Sequence, residues 1–140
     1  MDMECTCSAL RMAARRLSQT YDAALAPAGV TVSQYAVLSN LAKDEGATAP
    51  TMTELSERLG LDRTTLAHNL RPLERDGLVA VVPDPQDARL RRVALTPEGR
   101  ARRDRCFPLW RAAQDRFDAS FGASESHRLR SSLSALARLP

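Results

Sequence analysis

The sequence predicts a mainly α-helical chain interrupted by one small β-hairpin. Three observations lead there. Apolar residues recur at steps of three and four through most of the chain. Two short helical patterns flank a Gly-containing turn in "TMTELSERLGLDRTTLAHNLRPLERDG". Directly after it, "LVAVVP" and "RRVALT" read as two strands around the charged loop "DPQDARL". At 140 residues the chain has the length of one domain and can bury a core without staples.

The elements follow in order. Leu10, Ala14, Leu17, Tyr21 and Leu25 form an amphipathic stripe, giving a helix over 5–25 that Pro27 and Gly29 stop. Thr31 and Gln34 have capping-box spacing and open a second helix that buries Tyr35, Leu38 and Leu41, and "KDEGATAP" breaks it. Thr51 and Glu54 repeat the box ahead of a short helix with Met52, Leu55 and Leu59 on one face. Gly60 and Leu61 turn the chain, and Asp62 caps a helix that buries Leu66, Leu70 and Leu73 and ends at Gly77. Pro72 lies inside that helix, where a proline costs up to about 3 kcal/mol, and is expected to bend it past its N-terminal turns. Thr96 followed by Pro97 starts a long helix to about Phe121, with a kink expected at Pro108. Ser124 is expected to cap a last helix carrying Leu129, Leu133 and Leu136.

Helix, turn, helix and charged hairpin make a winged helix-turn-helix, and its chemistry suits DNA. The second helix of such a unit fits a major groove with its N-terminal residues at the base edges. Here those residues are Arg63, Thr64, Thr65 and His68. Arginine can fork onto guanine, and threonine can meet a thymine methyl or a polar edge. Arg71 and Arg75 lie further along, nearer phosphates. The formal net charge is +3, and residues 62–105, with ten Arg against seven Asp or Glu, hold all of that excess. Such a run is a nucleic-acid footprint or simply a solvated face.

Residues 62–99, "DRTTLAHNLRPLERDGLVAVVPDPQDARLRRVALTPEG", closely resemble the multiple-antibiotic-resistance regulator (MarR) family. The "LERDGLV" turn into the wing, the "DPxD-x-R" tip and the "V-x-LTPEG" exit match in order and spacing. The resemblance covers essentially the whole chain. It implies a homodimer, held by helices in 5–45 and 97–139, that carries two winged lobes, 51–96, onto a pseudo-palindromic operator in double-stranded DNA. It also implies that Asp87 and Arg89 pair at the wing tip and that Arg89 enters the minor groove. Ala88 stands where many relatives have another arginine, and Arg91 and Arg92 are candidates to compensate.

The three cysteines, Cys5, Cys7 and Cys106, are too few for a disulfide scaffold. "MDMECTC" starts acidic without an apolar leader, and no apolar run approaches the roughly 18 residues of a membrane span, so a cytoplasmic protein with reduced thiols is expected. Cys7, near a helix N-terminus and one turn from Arg11, sits where a thiolate is favoured and open to peroxide, with Asp2 and Glu4 opposing. By resemblance, Cys7 matches the reactive cysteine of organic-hydroperoxide-sensing repressors and Tyr21 a tyrosine that contacts that thiol. A second such tyrosine is replaced by Arg11. Cys106 would be a resolving thiol from the other subunit. Three alternatives stand beside oxidation: a buried, inert Cys106; three thiolates holding a thiophilic metal or arsenite; and a phenolic or aromatic ligand in the cleft between stem and wing. No Ser–His–Asp pattern, metal-hydrolase motif or Gly-rich phosphate loop appears, so neither an enzyme nor a cofactor is expected. Catalysis would have to rest on the thiols, as in a peroxidase.

Overall fold

The computed structural model describes residues 4–44 and 48–140. Asp2 and residues 45–47 of the expected break lie outside the described residues. The chain runs through α1 (Thr6–Leu25), α2 (Val32–Ala42), α3 (Met52–Leu59), α4 (Arg63–Arg75), β1 (Val79–Pro83), β2 (Arg91–Leu95), α5 (Pro97–Phe121) and α6 (Ala123–Ala137).

The helix ends show why the chain breaks where it does. After α1 a short 3-10 turn, Ala26–Ala28, leads to Gly29 at φ 75°, a left-handed conformation that glycine adopts without strain. Thr31 accepts from the Gln34 N–H at 3.2 Å, and Gln34 returns the bond to the Thr31 N–H at 2.9 Å. The second expected box forms only by half. Thr51 accepts from the Glu54 N–H at 3.1 Å, while the Glu54 side chain stays in solvent. Both internal prolines lie inside unbroken helices.

The expected cap at Ser124 is wrong. Gly122 holds the cap position at φ 103°, and Ser124 sits inside the first turn. Helix α6 starts directly after Gly122, so Ser124 already lies at its second helical position, past the cap.

Strands β1 and β2 pair antiparallel, from Val79 opposite Leu95 to Pro83 opposite Arg91. An isolated hairpin is marginal in water, and this one is stitched to its surroundings. Thr51 bridges Arg92, and the Val93 N–H donates to the Pro50 carbonyl at 2.9 Å. At its exit Thr96 caps α5 and also donates to the Gly77 carbonyl at 2.6 Å. Gly99 lies so close to this turn that a Cβ would stand 1.9 Å from the Leu78 carbonyl oxygen.

The core gathers Leu25, Val37, Leu38, Leu55, Leu66, Leu73, Val93 and Cys106, all fully enclosed. Each buried leucine or valine contributes roughly 1.5–3 kcal/mol by leaving water. The expected α1 stripe is buried only at its end. Leu25 is enclosed, Leu10, Leu17 and Tyr21 are half-buried, and Ala14 is exposed. In α6, Leu129 is half-buried while Leu133 and Leu136 are exposed. These faces are apolar in sequence, but among the described residues no element encloses them.

Candidate nucleic-acid interface

Gly60, left-handed at φ 65°, closes α3 and lets Asp62 begin α4 at once. The Asp62 carboxylate accepts the Thr65 N–H at 2.6 Å. Its hydrogen bonds to Thr65 hold the Asp62 carboxyl below the usual carboxylate range. Leu66, Leu70 and Leu73 face the core, so the other face of α4 points out. Arg63, Thr64, Thr65, His68, Arg71 and Arg75 are all exposed on it. Arg75 also makes a loose ion pair with Asp76 at 3.4 Å, both in solvent.

The wing brings a second set of cations to the same side. Asp87 accepts both Nε (3.0 Å) and Nη2 (3.2 Å) of Arg89, as well as the Arg89 backbone N–H at 3.1 Å. The Arg89 side chain is nevertheless 90% exposed, so the pair orients a guanidinium without consuming it. Arg63 of α4 and Arg89 and Arg91 of the wing line one shallow hollow of about 100 Å³ with Thr51, Met52 and Thr53. A neighbouring groove of about 280 Å³ has an apolar floor of Met52, Leu70 and Val81 beneath Arg63, Arg71 and Arg91. Four arginines from two elements thus converge on one surface. Clustered like charges repel, and a polyanion laid across them relieves that repulsion.

Arg92 does not join them. Its Nε bonds to Asp84, and its Nη1 donates to the Ala49 carbonyl at 2.6 Å. Its side chain is 20% exposed. The expectation that Arg92 supplements the wing contact is therefore corrected: its position in β2, opposite Val82 beside the tip, turns it inward onto Asp84 and the Ala49 carbonyl.

The thiols separate into two places. Cys5 is the N-cap of α1, and Cys7 lies in its first turn; both are exposed, as is Arg11. A side-chain hydrogen bond from Ser8 holds the Cys5 thiol below its ordinary range. Cys106 is enclosed in the core, and burial pushes its thiol up. Among the described residues no group of three His, Cys, Asp or Glu is arranged to hold a metal. Tyr21 meets no thiol of its own chain. Its hydroxyl donates to Gln114 at 2.6 Å, and along a helix the 14 residues back to Cys7 span about 21 Å.

One site escaped the residue-by-residue reading. Between α2 and α5 lies a hollow of about 330 Å³ lined by Tyr35, Ser39, Arg103, Phe107 and Trp110. Ser39 Oγ and Arg103 Nε are buried there without hydrogen-bond partners. The Arg103 guanidinium stacks 5.4 Å from the centre of the Phe107 ring. The available signal was R-x3-F-x2-W in "RDRCFPLW", which puts a cation and two rings on one helical face. No described helix is long and apolar enough to cross a membrane.

The comparisons agree with this geometry. The MarR family profile matches residues 28–90. The transcriptional activatory protein BadR of Rhodopseudomonas palustris is 37% identical over 91 residues, 65% of this chain and 52% of BadR. The chain thus spans about half the length of the curated relatives it matches. The transcriptional regulator MosR of M. tuberculosis, solved in complex with DNA, is 41% identical with a TM-score of 0.86, covering 96% of this chain and 95% of MosR. The repressor CouR, bound to a 23-mer DNA duplex, is 29% identical with a TM-score of 0.83, covering 96% of this chain and 94% of CouR. CouR from Rhodococcus jostii RHA1 has also been solved with p-coumaroyl-CoA, at 27% identity and a TM-score of 0.77 over 94% of this chain and 90% of CouR.

Proposed function

The chain belongs to the MarR family, and from that premise we propose that it is a homodimeric, sequence-specific DNA-binding transcriptional regulator whose grip is released by oxidation of thiols on α1. The observation that carries the DNA reading is the convergence of Arg63, Arg71, Arg89 and Arg91 on one surface beside the exposed turns of α4. In this reading 51–96 is the DNA lobe, and the helices in 5–45 and 97–139 form the dimer stem.

The exposure of Cys5 and Cys7 supports the redox reading. Thiolate attack on an organic hydroperoxide breaks the O–O bond, leaving a sulfenic acid and an alcohol. A second thiol then closes a disulfide and releases water. In this reading the second thiol is the other member of the C-x-C pair, a choice supported by the exposure of Cys5 and Cys7 and the enclosure of Cys106. Chain connectivity keeps two Cα atoms two residues apart within about 7 Å, the outer limit for a disulfide. On a helix such side chains diverge, so closing the bond would undo the first turn of α1. A hundredfold release of DNA needs only about 2.7 kcal/mol of differential binding.

A second reading of the signal has its own observation. The orphaned Ser39 Oγ and Arg103 Nε face a hollow walled by aromatic rings, and an aromatic acid would supply both the missing partners and the stacking surface.

One experiment tests both. Operator binding is measured by fluorescence anisotropy with organic hydroperoxide, or with hydroxylated aromatic acids, for the parent and for Cys5→Ser, Cys7→Ser, Cys106→Ser and Arg103→Met. Oxidative release that is lost in Cys5→Ser or Cys7→Ser, kept in Cys106→Ser and reversed by thiol reductant is expected. Release of every cysteine variant by peroxide refutes the redox switch. Release by an aromatic acid that Arg103→Met abolishes establishes the second reading.

A further inference from the structure

We propose that Asp84 is a positioning residue for DNA binding, which sets where the Asp87–Arg89 pair stands by joining the wing tip to the segment ahead of α3 through Arg92. The inference rests on the DNA-binding function proposed above.

A wing made of two five-residue strands has little to stiffen it. Its tip, residues 84–90, offers the core no anchor. Leu90 is 44% exposed and Val82 beside the tip 41%. The shape of the tip therefore depends on polar bonds, and these form a chain of custody that begins at Asp84. One carboxylate oxygen of Asp84 accepts the backbone N–H groups of Gln86 (2.8 Å) and Asp87 (2.9 Å), the turn-making habit of aspartate. The Asp84 N–H donates across the loop to the Leu90 carbonyl at 2.9 Å. With its backbone so held, Asp87 is placed to take three N–H groups of Arg89.

The other Asp84 oxygen takes Arg92 Nε, and Arg92 reaches on to the Ala49 carbonyl at 2.6 Å. Pro50 follows, fully buried, and Thr51 caps α3. Arg92 thus ties the tip to the helix pair that presents α4. The Asp84–Arg92 side chains are only 10% and 20% exposed. Charge-assisted bonds of this kind are about twice as strong as neutral ones, and water competes poorly for a pair so covered. The Arg92 guanidinium beside it holds the Asp84 carboxyl below its usual range.

The test uses a duplex selected by the parent from a random-sequence library. Arg89→Ala should weaken binding roughly tenfold and lower the salt slope by about 0.9. Asp84→Ala should do the same although its side chain meets no phosphate. In the double variant the two losses should not multiply, and binding should match the weaker single variant within about twofold. Arg92→Met cuts the tie from its other end and should give the same result, which keeps the test open if Asp84→Ala folds poorly. Arg71→Ala, on α4, should still multiply with Asp84→Ala, because only the wing has been displaced. Losses of Asp84→Ala and Arg89→Ala that multiply, or silence of Arg71→Ala in the Asp84→Ala background, overturn the positioning role while leaving DNA binding intact. Failure of the parent to select any duplex overturns the DNA reading and this inference with it.

Discussion

In the proposed DNA reading Arg89 and Arg63 have different roles, although both are exposed arginines beside one hollow. Arg89 is oriented by a carboxylate and stands on a loop, as befits a charge that meets the DNA backbone or a narrow groove. Arg63 opens a rigid helix, the place from which base edges are read. Removing a phosphate contact weakens all sites alike, whereas removing a base contact relaxes preference at one step. Arg63→Ala should therefore cost roughly 1–3 kcal/mol of discrimination at one base step, with little change on scrambled DNA. Titrations on specific and scrambled duplexes at several salt concentrations check it; an unchanged specific-to-scrambled ratio removes Arg63 from the reading set. The resemblance implies the Asp87–Arg89 pair, and the pair forms within one turn of the tip. Arg92 misled because its second partner, the Ala49 carbonyl, is 43 residues away. To a reading of local spacing, an inward arginine looks like an outward one.

At the scale of elements, caps were legible and docking was not. Thr31, Asp62 and Thr96 were found because a cap bonds three residues ahead. The α5–α6 corner is fixed by a longer-range network. Asp118 accepts Gln114 Nε2 at 3.0 Å and the enclosed Ser126 Oγ at 2.5 Å, and Arg130 donates to Ser126 at 2.7 Å. Tyr21 joins through Gln114, so α1, α5 and α6 meet at one polar knot. Ser126, followed by Gln114, holds the Asp118 carboxyl below its ordinary range. A carboxyl with a lowered folded value stabilises above the ordinary value, near pH 4, and loses that contribution as pH falls through the lowered one. Asp118→Asn should therefore lower Tm at pH 7, and the gap from the parent should close as pH drops below about 4. Thermal melts across that range decide the point: a gap that stays constant down to pH 3 would show that the charge of Asp118 does not hold the corner.

At the scale of the molecule, the unburied stripes become intelligible as a surface awaiting a second copy. Leu133, Leu136 and Leu139 on and after α6, Phe121 at the end of α5 and Met12 on α1 are exposed by 39% to 67%. A helical stripe in sequence says that a face is apolar; it does not say whether the covering element belongs to the same chain. This is why the period of α1 is legible in sequence while the covering of its stripe is not. The aromatic hollow was hidden for a related reason, since Ser39 and Arg103 come together only when α2 packs on α5. If the exposed stripes join two copies, two α4 helices enter successive major grooves about 10 bp apart. The first lobe to bind then presents the second at a raised effective concentration, an avidity gain of about 10²–10⁴. The double variant Leu133→Asp, Leu136→Asp should lose that gain without harming the lobe, because neither side chain belongs to the core. Sedimentation should find it monomeric, circular dichroism should find its helices intact, and its affinity for the two-fold site should fall at least a hundredfold, toward that of one lobe on one half-site. A variant that still sediments as a dimer would place the interface elsewhere. A monomer that binds the full site as tightly as the parent would mean that one lobe suffices, and that the two-fold operator is not what this chain reads.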